Sequence, residues 1–123
     1  MKRIVIAYIF FLFSIILKGQ VTATVTVTVY PPTKAHTNDQ PLITADGSRI
    51  DLRKLKEGKI KWCGVSRDLL KRFPLGSKIY IQGFGVYEVH DKTNRRFRNL
   101  VDILIHPDDE RVLKTNVKII KVI

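Results

Sequence analysis

The sequence predicts a small all-β protein, a compact barrel of six or so short strands. Two observations carry that expectation. Short stretches of alternating or continuous apolar character recur from residue 21 to the C-terminus, each bounded by proline, glycine or aspartate turn chemistry. Helical patterning is confined to one or two short turns, so most of the chain has only β structure and connections available to it.

The first strand is expected over residues 21–30, where Val or Ala holds the odd positions up to 29 and Thr the even ones up to 28. That alternation gives one buried face and one polar face. Pro31 and Pro32 end it, because proline cannot donate to a sheet ladder. A polar loop follows to residue 42, and Ile43-Thr44-Ala45-Asp46-Gly47-Ser48 reads as a strand end entering an Asp-Gly turn. Residues 50–56 suit a helical turn closed by Gly58. A strand over 59–65 comes next, then a short helix over 67–72 that Ser66 can cap and Pro74 must stop. Strands over 77–82 and 86–90 flank the reversal Gly83-Phe84-Gly85. A further strand covers 100–105. A short helix is expected to begin at 106–110, where Pro107 and three acids suit a helix N-terminus. The last strand is placed at 117–122.

The N-terminus has a different character. Lys2-Arg3 precedes an apolar run from Ile4 to Leu17, broken only by Ser14. Fourteen residues is the length of a signal-peptide core and short for a membrane span. The expected division is a signal peptide over 1–20 and one domain over 21–123, with a secreted, periplasmic or cell-envelope location. An uncleaved anchor is the alternative. The single cysteine, Cys63, allows no internal disulfide and suits a buried apolar place. One cysteine and three scattered histidines (His36, His90 and His106) form no metal-ligand spacing, so neither metal nor cofactor is expected.

The formal charge is +11, of which Lys2, Arg3 and Lys18 supply three, leaving +8 for residues 21–123. A basic surface favours an anionic partner. Nucleic acid is not expected, because an exported protein seldom meets it and no aromatic-interleaved basic groove is present. An anionic cell-wall surface is the expected partner, and the expected state is a monomer.

The apolar run Leu100-Val101-Asp102-Ile103-Leu104-Ile105 contains a carboxylate. Burying an unpaired charge is costly, so Asp102 needs either a solvent-facing position or a task. Alternation alone puts Asp102 on the face opposite Val101 and Ile103. Asp91 lies eleven residues earlier, at a strand end where aspartate is also a common turn residue. Asp68 suits a helix terminus as well as a site. Asp46 reads as a turn former and His90 as structural. Tyr30 and Phe97 can stack on sugar rings, whereas Tyr87 suits barrel packing.

The order of motifs resembles the three-aspartate (3D) domain. The residues that carry the resemblance are Thr44-Ala45-Asp46-Gly47, then Val65-Ser66-Arg67-Asp68, then Pro74-Leu75-Gly76-Ser77-Lys78-Ile79-Tyr80-Ile81, then Gly85-Val86-Tyr87-Glu88-Val89-His90-Asp91, then Val101-Asp102-Ile103. The resemblance implies a six-stranded double-psi β-barrel with one or two short helices. It also implies kinship with the membrane-bound lytic transglycosylase A family, the rare lipoprotein A family and the expansins. Such proteins cleave peptidoglycan without hydrolysis, or bind it.

The resemblance implies that Asp102 is the single general acid/base, with Asp91 beside it and Asp68 as the third aspartate. Thr44 resembles a threonine lining the same cleft, and Tyr30 and Phe97 join it as candidate substrate contacts. The chain departs from the family between its last two aspartates, where a Gly-rich connection is replaced by Lys92-Thr93-Asn94-Arg95-Arg96-Phe97-Arg98-Asn99. The chemistry would need one proton-transferring carboxyl group. Apolar neighbours and the Asp91 carboxylate would both push the Asp102 pKa up. The expected function is therefore an exported, lytic-transglycosylase-like protein acting on peptidoglycan glycan strands. The alternative is a non-catalytic glycan-binding or wall-loosening module. A basic protein that merely coats anionic surfaces is a weaker third reading, because it leaves Asp102 unexplained.

Overall fold

The computed structural model describes residues 19–34 and 37–123. The apolar run Ile4–Leu17, expected to be signal-like, lies outside them, as does His36. The described chain is all-β. Its elements are β1 (Thr22–Tyr30), a one-turn helix α1 (Leu52–Lys56), β2 (Trp62–Val65), a 3-10 turn (Arg67–Leu69), β3 (Lys78–Ile81), β4 (Gly85–Lys92), β5 (Leu100–Leu104) and β6 (Leu113–Val122).

The six strands close into a barrel in the order β1-β5-β2-β4-β3-β6. Two pairings, β1 with β5 and β2 with β4, are parallel, and the other four are antiparallel. This mixed closure is compatible with a double-psi topology. Among the described strands it also leaves no open sheet edge to recruit another chain.

Alternation sorts the side chains. Val25 and Val27 of β1, Cys63 and Val65 of β2, Val89 of β4, and Val101 and Ile103 of β5 point inward and are buried. Ile79, Ile81, Val117 and Ile119 complete the interior from β3 and β6, while Leu69 and Phe73 seal it beside the 3-10 turn. Each fully buried side chain of this size contributes about 1.5–3 kcal/mol. A second apolar cluster lies on the outer wall. Tyr30, Leu104 and Trp62 stand on the outward parity of their strands and pack against Ile50 and Leu55 from the β1–β2 connection. Helix α1 is positioned there by Leu55 and started by Asp51, whose carboxylate accepts from the Lys54 N–H at 3.0 Å.

Some local expectations are corrected. The helix expected over 67–72 is only the 3-10 turn Arg67–Leu69. No helix forms over 106–110. There the Asp109 carboxylate accepts from the His106 N–H and His106 Nδ1 accepts from the Asp108 N–H, both at 3.1 Å. Such side-chain bonds compete with a helical ladder. Residues 43–48 form a turn closed by one bridge, Ile43 to Arg49, rather than a strand end. Strand β4 runs on to Lys92, and β6 starts at Leu113, four residues before its expected beginning.

Candidate functional site

Four neighbouring strands place four residues in one row across the outer wall. Thr28 of β1 is level with Asp102 of β5, Asp102 with Gly64 of β2, and Gly64 with Asp91 of β4. The last alignment depends on a bulge. Cys63 pairs with Val89, but Gly64 pairs with Asp91, so His90 is an extra residue in β4. Strict alternation from the inward Val89 would have turned Asp91 inward too. The extra residue instead brings Asp91 onto the face that Asp102 occupies, a re-aiming for which bulges are suited.

Glycine at 64 is what keeps the row open. A Cβ there would lie 3.3 Å from Asp91 Cβ and 3.4 Å from the Asp91 carbonyl group. The two carboxylates therefore flank a strip of bare backbone. Above it is a cleft of about 390 Å³, lined by Tyr30, Gly64, Asp91 and Asp102 together with residues of the 92–97 connection. That volume is in the range of small-ligand sites.

The hydrogen bonds give the two aspartates different capacities. Asp91 is fully engaged. Its Oδ1 accepts from the Ala45 N–H at 3.1 Å and the Lys92 N–H at 3.0 Å, and its Oδ2 from the Tyr30 hydroxyl at 3.3 Å. Asp102 Oδ1 accepts from the Thr28 hydroxyl at 2.8 Å, while Oδ2 has no hydrogen-bond partner among the described residues.

Burial pushes the Asp102 carboxyl up to about 6, opposed by the Thr28 hydrogen bond and assisted by the Asp91 charge. Burial also raises Asp91, but its N–H and hydroxyl donors oppose the rise. Burial and both nearby carboxylates hold the Tyr30 phenol well above its usual range, so it remains a donor. Asp102 is thus a carboxyl group with a free oxygen, pushed up to about 6. Asp91 is a neighbour held by three donors.

The motif Thr44-Ala45-Asp46-Gly47 acts behind this row. The Thr44 hydroxyl donates to Asp46 Oδ1 at 2.6 Å and is buried, so Thr44 shapes the turn and does not line the cleft. The turn presents the Ala45 N–H to Asp91. It is fixed to β4 by His90, whose Nδ1 lies 2.7 Å from Asp46 Oδ2 and whose Nε2 lies 3.0 Å from Glu88 Oε2. The His90 ring also rests on Trp62, centroid to centroid 4.1 Å, which agrees with its reading as structural.

Asp68 is not brought to the cleft. It sits in the 3-10 turn, where its Oδ2 accepts from the Asn99 N–H at 3.0 Å. Asn99 has a positive φ of 49°, and Asp68 holds this strained approach to β5. Burial raises its pKa, but the Ser66 hydroxyl and the Asn99 N–H outweigh that and leave the carboxyl below its usual range. Phe97 does reach the rim. It is 40 % exposed, with the Arg96 guanidinium 4.8 Å above its ring.

The sequence reading missed Thr37, Asn38, Gly64 and Arg67 as cleft residues, and Thr28 as the hydroxyl that holds Asp102. A lone glycine inside a strand was the available signal for Gly64, since such a glycine often marks a bulge or a close approach. Thr28 looked like one of several alternating threonines, and nothing local distinguishes it. Among the described residues no cluster of histidine, cysteine and acidic side chains is arranged to hold a metal ion. No family model matches the chain, and neither a curated protein nor a solved structure matches it.

Proposed function

We propose that this protein is an exported cell-wall protein of the three-aspartate type that cleaves peptidoglycan glycan strands by lytic transglycosylation, with Asp102 as the single acid/base. The observation that carries this reading is the Thr28–Asp102–Gly64–Asp91 row: one raised-pKa carboxyl with a free oxygen beside one fully held carboxylate, both on the floor of a cleft.

The chemistry follows from that inequality. Protonated Asp102 donates its proton to the glycosidic oxygen as the C1–O bond breaks. Positive charge develops at the ring, and the Asp91 carboxylate, fixed in place by three donors, stabilises it electrostatically. The Asp102 carboxylate then takes the proton of the sugar's own 6-hydroxyl as that oxygen attacks C1. An anhydro-ended product results, no water is consumed, and Asp102 returns to its starting protonation state. A second carboxyl group to activate water, which hydrolysis requires, has no role here. Thr28 positions Asp102 by accepting no part of the proton traffic: its hydroxyl holds Oδ1 and leaves Oδ2 to face the bond.

The test is incubation of the purified protein with peptidoglycan and mass analysis for anhydro-ended muropeptides. Their formation by the parent protein and loss in Asp102→Asn supports the proposal. Hydrated reducing ends would instead indicate a hydrolase. Binding without any product, equal in parent and variant, would make the cleft a glycan-binding module.

A further inference from the structure

The cleft carries a second group of residues that proton transfer at Asp102 leaves unused. Arg67, Lys92 and Arg96 line it from the side of the 92–97 connection, together with the exposed ring of Phe97. Three cations beside two carboxylates would ordinarily be read as their counterions. Here they are not: among the described residues no ion pair joins any of the three to Asp91 or Asp102. Both aspartates are also raised by burial, whereas a paired carboxylate would be lowered.

The cations have positions of their own. Arg67 Nε donates to the Thr93 carbonyl at 3.4 Å, which ties its guanidinium to the connection. Arg96 is held over Phe97. Lys92 directly follows Asp91 at the end of β4, while its own N–H is spent on the Asp91 carboxylate. The cleft is therefore divided, with acid on the floor and cations at the rim. An anion on the floor would be repelled by Asp91. A neutral sugar on the floor with an anionic substituent reaching the rim satisfies both halves.

We propose that the Arg67–Lys92–Arg96 rim is a subsite for a carboxylate carried by the glycan, so that the cleft selects carboxylate-bearing strands over neutral ones. This rests on the reading of the cleft as a glycan site and adds the substrate class. Arginine and lysine suit the task, since guanidinium binds carboxylate in a fork and ammonium binds it as a point charge. The Phe97 face beside Arg96 offers a stacking surface to the sugar ring next to that substituent.

The experiment measures binding by calorimetry with the full chain in an Asp102→Asn background, which stops turnover. Four probes are compared at one ionic strength. They are soluble peptide-bearing glycan fragments freed of phosphate polymers, the same fragments with carboxylates converted to amides, a neutral N-acetylglucosamine oligomer, and a phosphate polymer alone. Amidation is expected to weaken binding about tenfold, the combined loss of two partly exposed ion pairs. Adding Lys92→Gln and Arg96→Gln should bring the native fragments down to the amidated level and leave the amidated fragments unchanged. Adding Lys71→Gln and Lys118→Gln instead, which removes the same charge from exposed positions outside the cleft, should change nothing.

Equal binding of native and amidated fragments overturns the subsite while leaving the cleft as a glycan site. An equal loss in the Lys71 and Lys118 variant overturns it in favour of net charge. Binding to the phosphate polymer alone, with no glycan bound, overturns both the subsite and the glycan reading. Circular dichroism of each variant confirms that exposed substitutions have left the barrel folded.

Discussion

The two faces of strands β1, β5, β2 and β4 follow opposite rules, although the same short segments supply both. The inward face is built from Val27, Val101, Ile103, Cys63, Val65 and Val89, all almost completely buried. The outward face holds Thr28, Asp102, Gly64 and Asp91 in a row, then Tyr30 and Trp62 beneath a flap of connection. The inward face tolerates no polar group, and its side chains are interchangeable to the extent that volume is kept. The outward face is particular. It requires a glycine where any side chain would crowd Asp91, a bulge to re-aim Asp91, and a hydroxyl to hold Asp102. Stability is therefore concentrated on one face of each strand and the candidate chemistry on the other, so substitutions on the two faces should be separable.

The largest separation is expected between Asp102→Asn and Phe73→Ala. Asparagine keeps the shape of residue 102 but cannot deliver a proton. Glycan cleavage should fall at least roughly 10²–10⁴-fold, the usual contribution of general acid–base catalysis, in an anhydro-muropeptide assay. Phe73 is fully buried in the interior. Phe73→Ala should cost about 3–5 kcal/mol in chemical denaturation, with activity per folded molecule unchanged. If Phe73→Ala lowered activity per folded molecule as severely as Asp102→Asn, the two faces would not be independent.

The pH dependence of stability sharpens the contrast. Asp102 titrates at about 6 in the folded state and near its ordinary value of 3.8 when unfolded. The folded protein thus binds more protons between those values. The resulting stabilisation is complete below about pH 4 and is lost as pH rises through 6. Its size is about 1–3 kcal/mol, since the carboxyl is only partly buried. Denaturation midpoints of the parent should therefore fall relative to Asp102→Asn between pH 4 and pH 7. A constant difference across that range would remove the raised-pKa acid from the proposal.

Gly64→Ala tests the open strip between the aspartates. Its Cβ would lie 3.3 Å from the Asp91 Cβ, so Asp91 must give way by a few tenths of an ångström, and mild overpacking of this kind costs about 1 kcal/mol. Cleavage should suffer more than stability, because Asp91 moves relative to Asp102. Unchanged turnover would show that their relative position is not demanding.

The smallest combined effect on activity and stability is expected at Asp68. Asp68→Asn weakens the acceptor for the Asn99 N–H and should lower stability by about 1 kcal/mol while sparing cleavage, since Asp68 does not line the cleft. A loss of activity comparable to that of Asp102→Asn would return Asp68 to the site.

Much of the barrel was legible because strand alternation is a local property. The threonines of β1, the turn glycines and the Pro31-Pro32 stop each act within a few residues. One misread segment fails for an equally local reason. At 106–110 the side chains of His106 and Asp109 capture backbone N–H groups that a helix would have used. The early start of β6 comes from pairing with β1, where Leu113 and Lys114 lie level with Thr28 and Val27 across a register shift. No pattern within residues 113–116 announces that partner.

The sequence by itself determined which face of each strand is apolar, and it singled out Asp102 as a carboxylate among apolar residues. It also drew attention to Asp91, Tyr30 and Phe97. Folding alone decides that Asp68 and Thr44 do not line the cleft and that Thr28 and Gly64 belong to the row, and it supplies the bulge that brings Asp91 level with Gly64 and Asp102. The reason is physical. Alternation fixes the side of a strand a residue faces, but its neighbours are fixed by register, and register here depends on parallel pairings between distant segments and on one extra residue in β4.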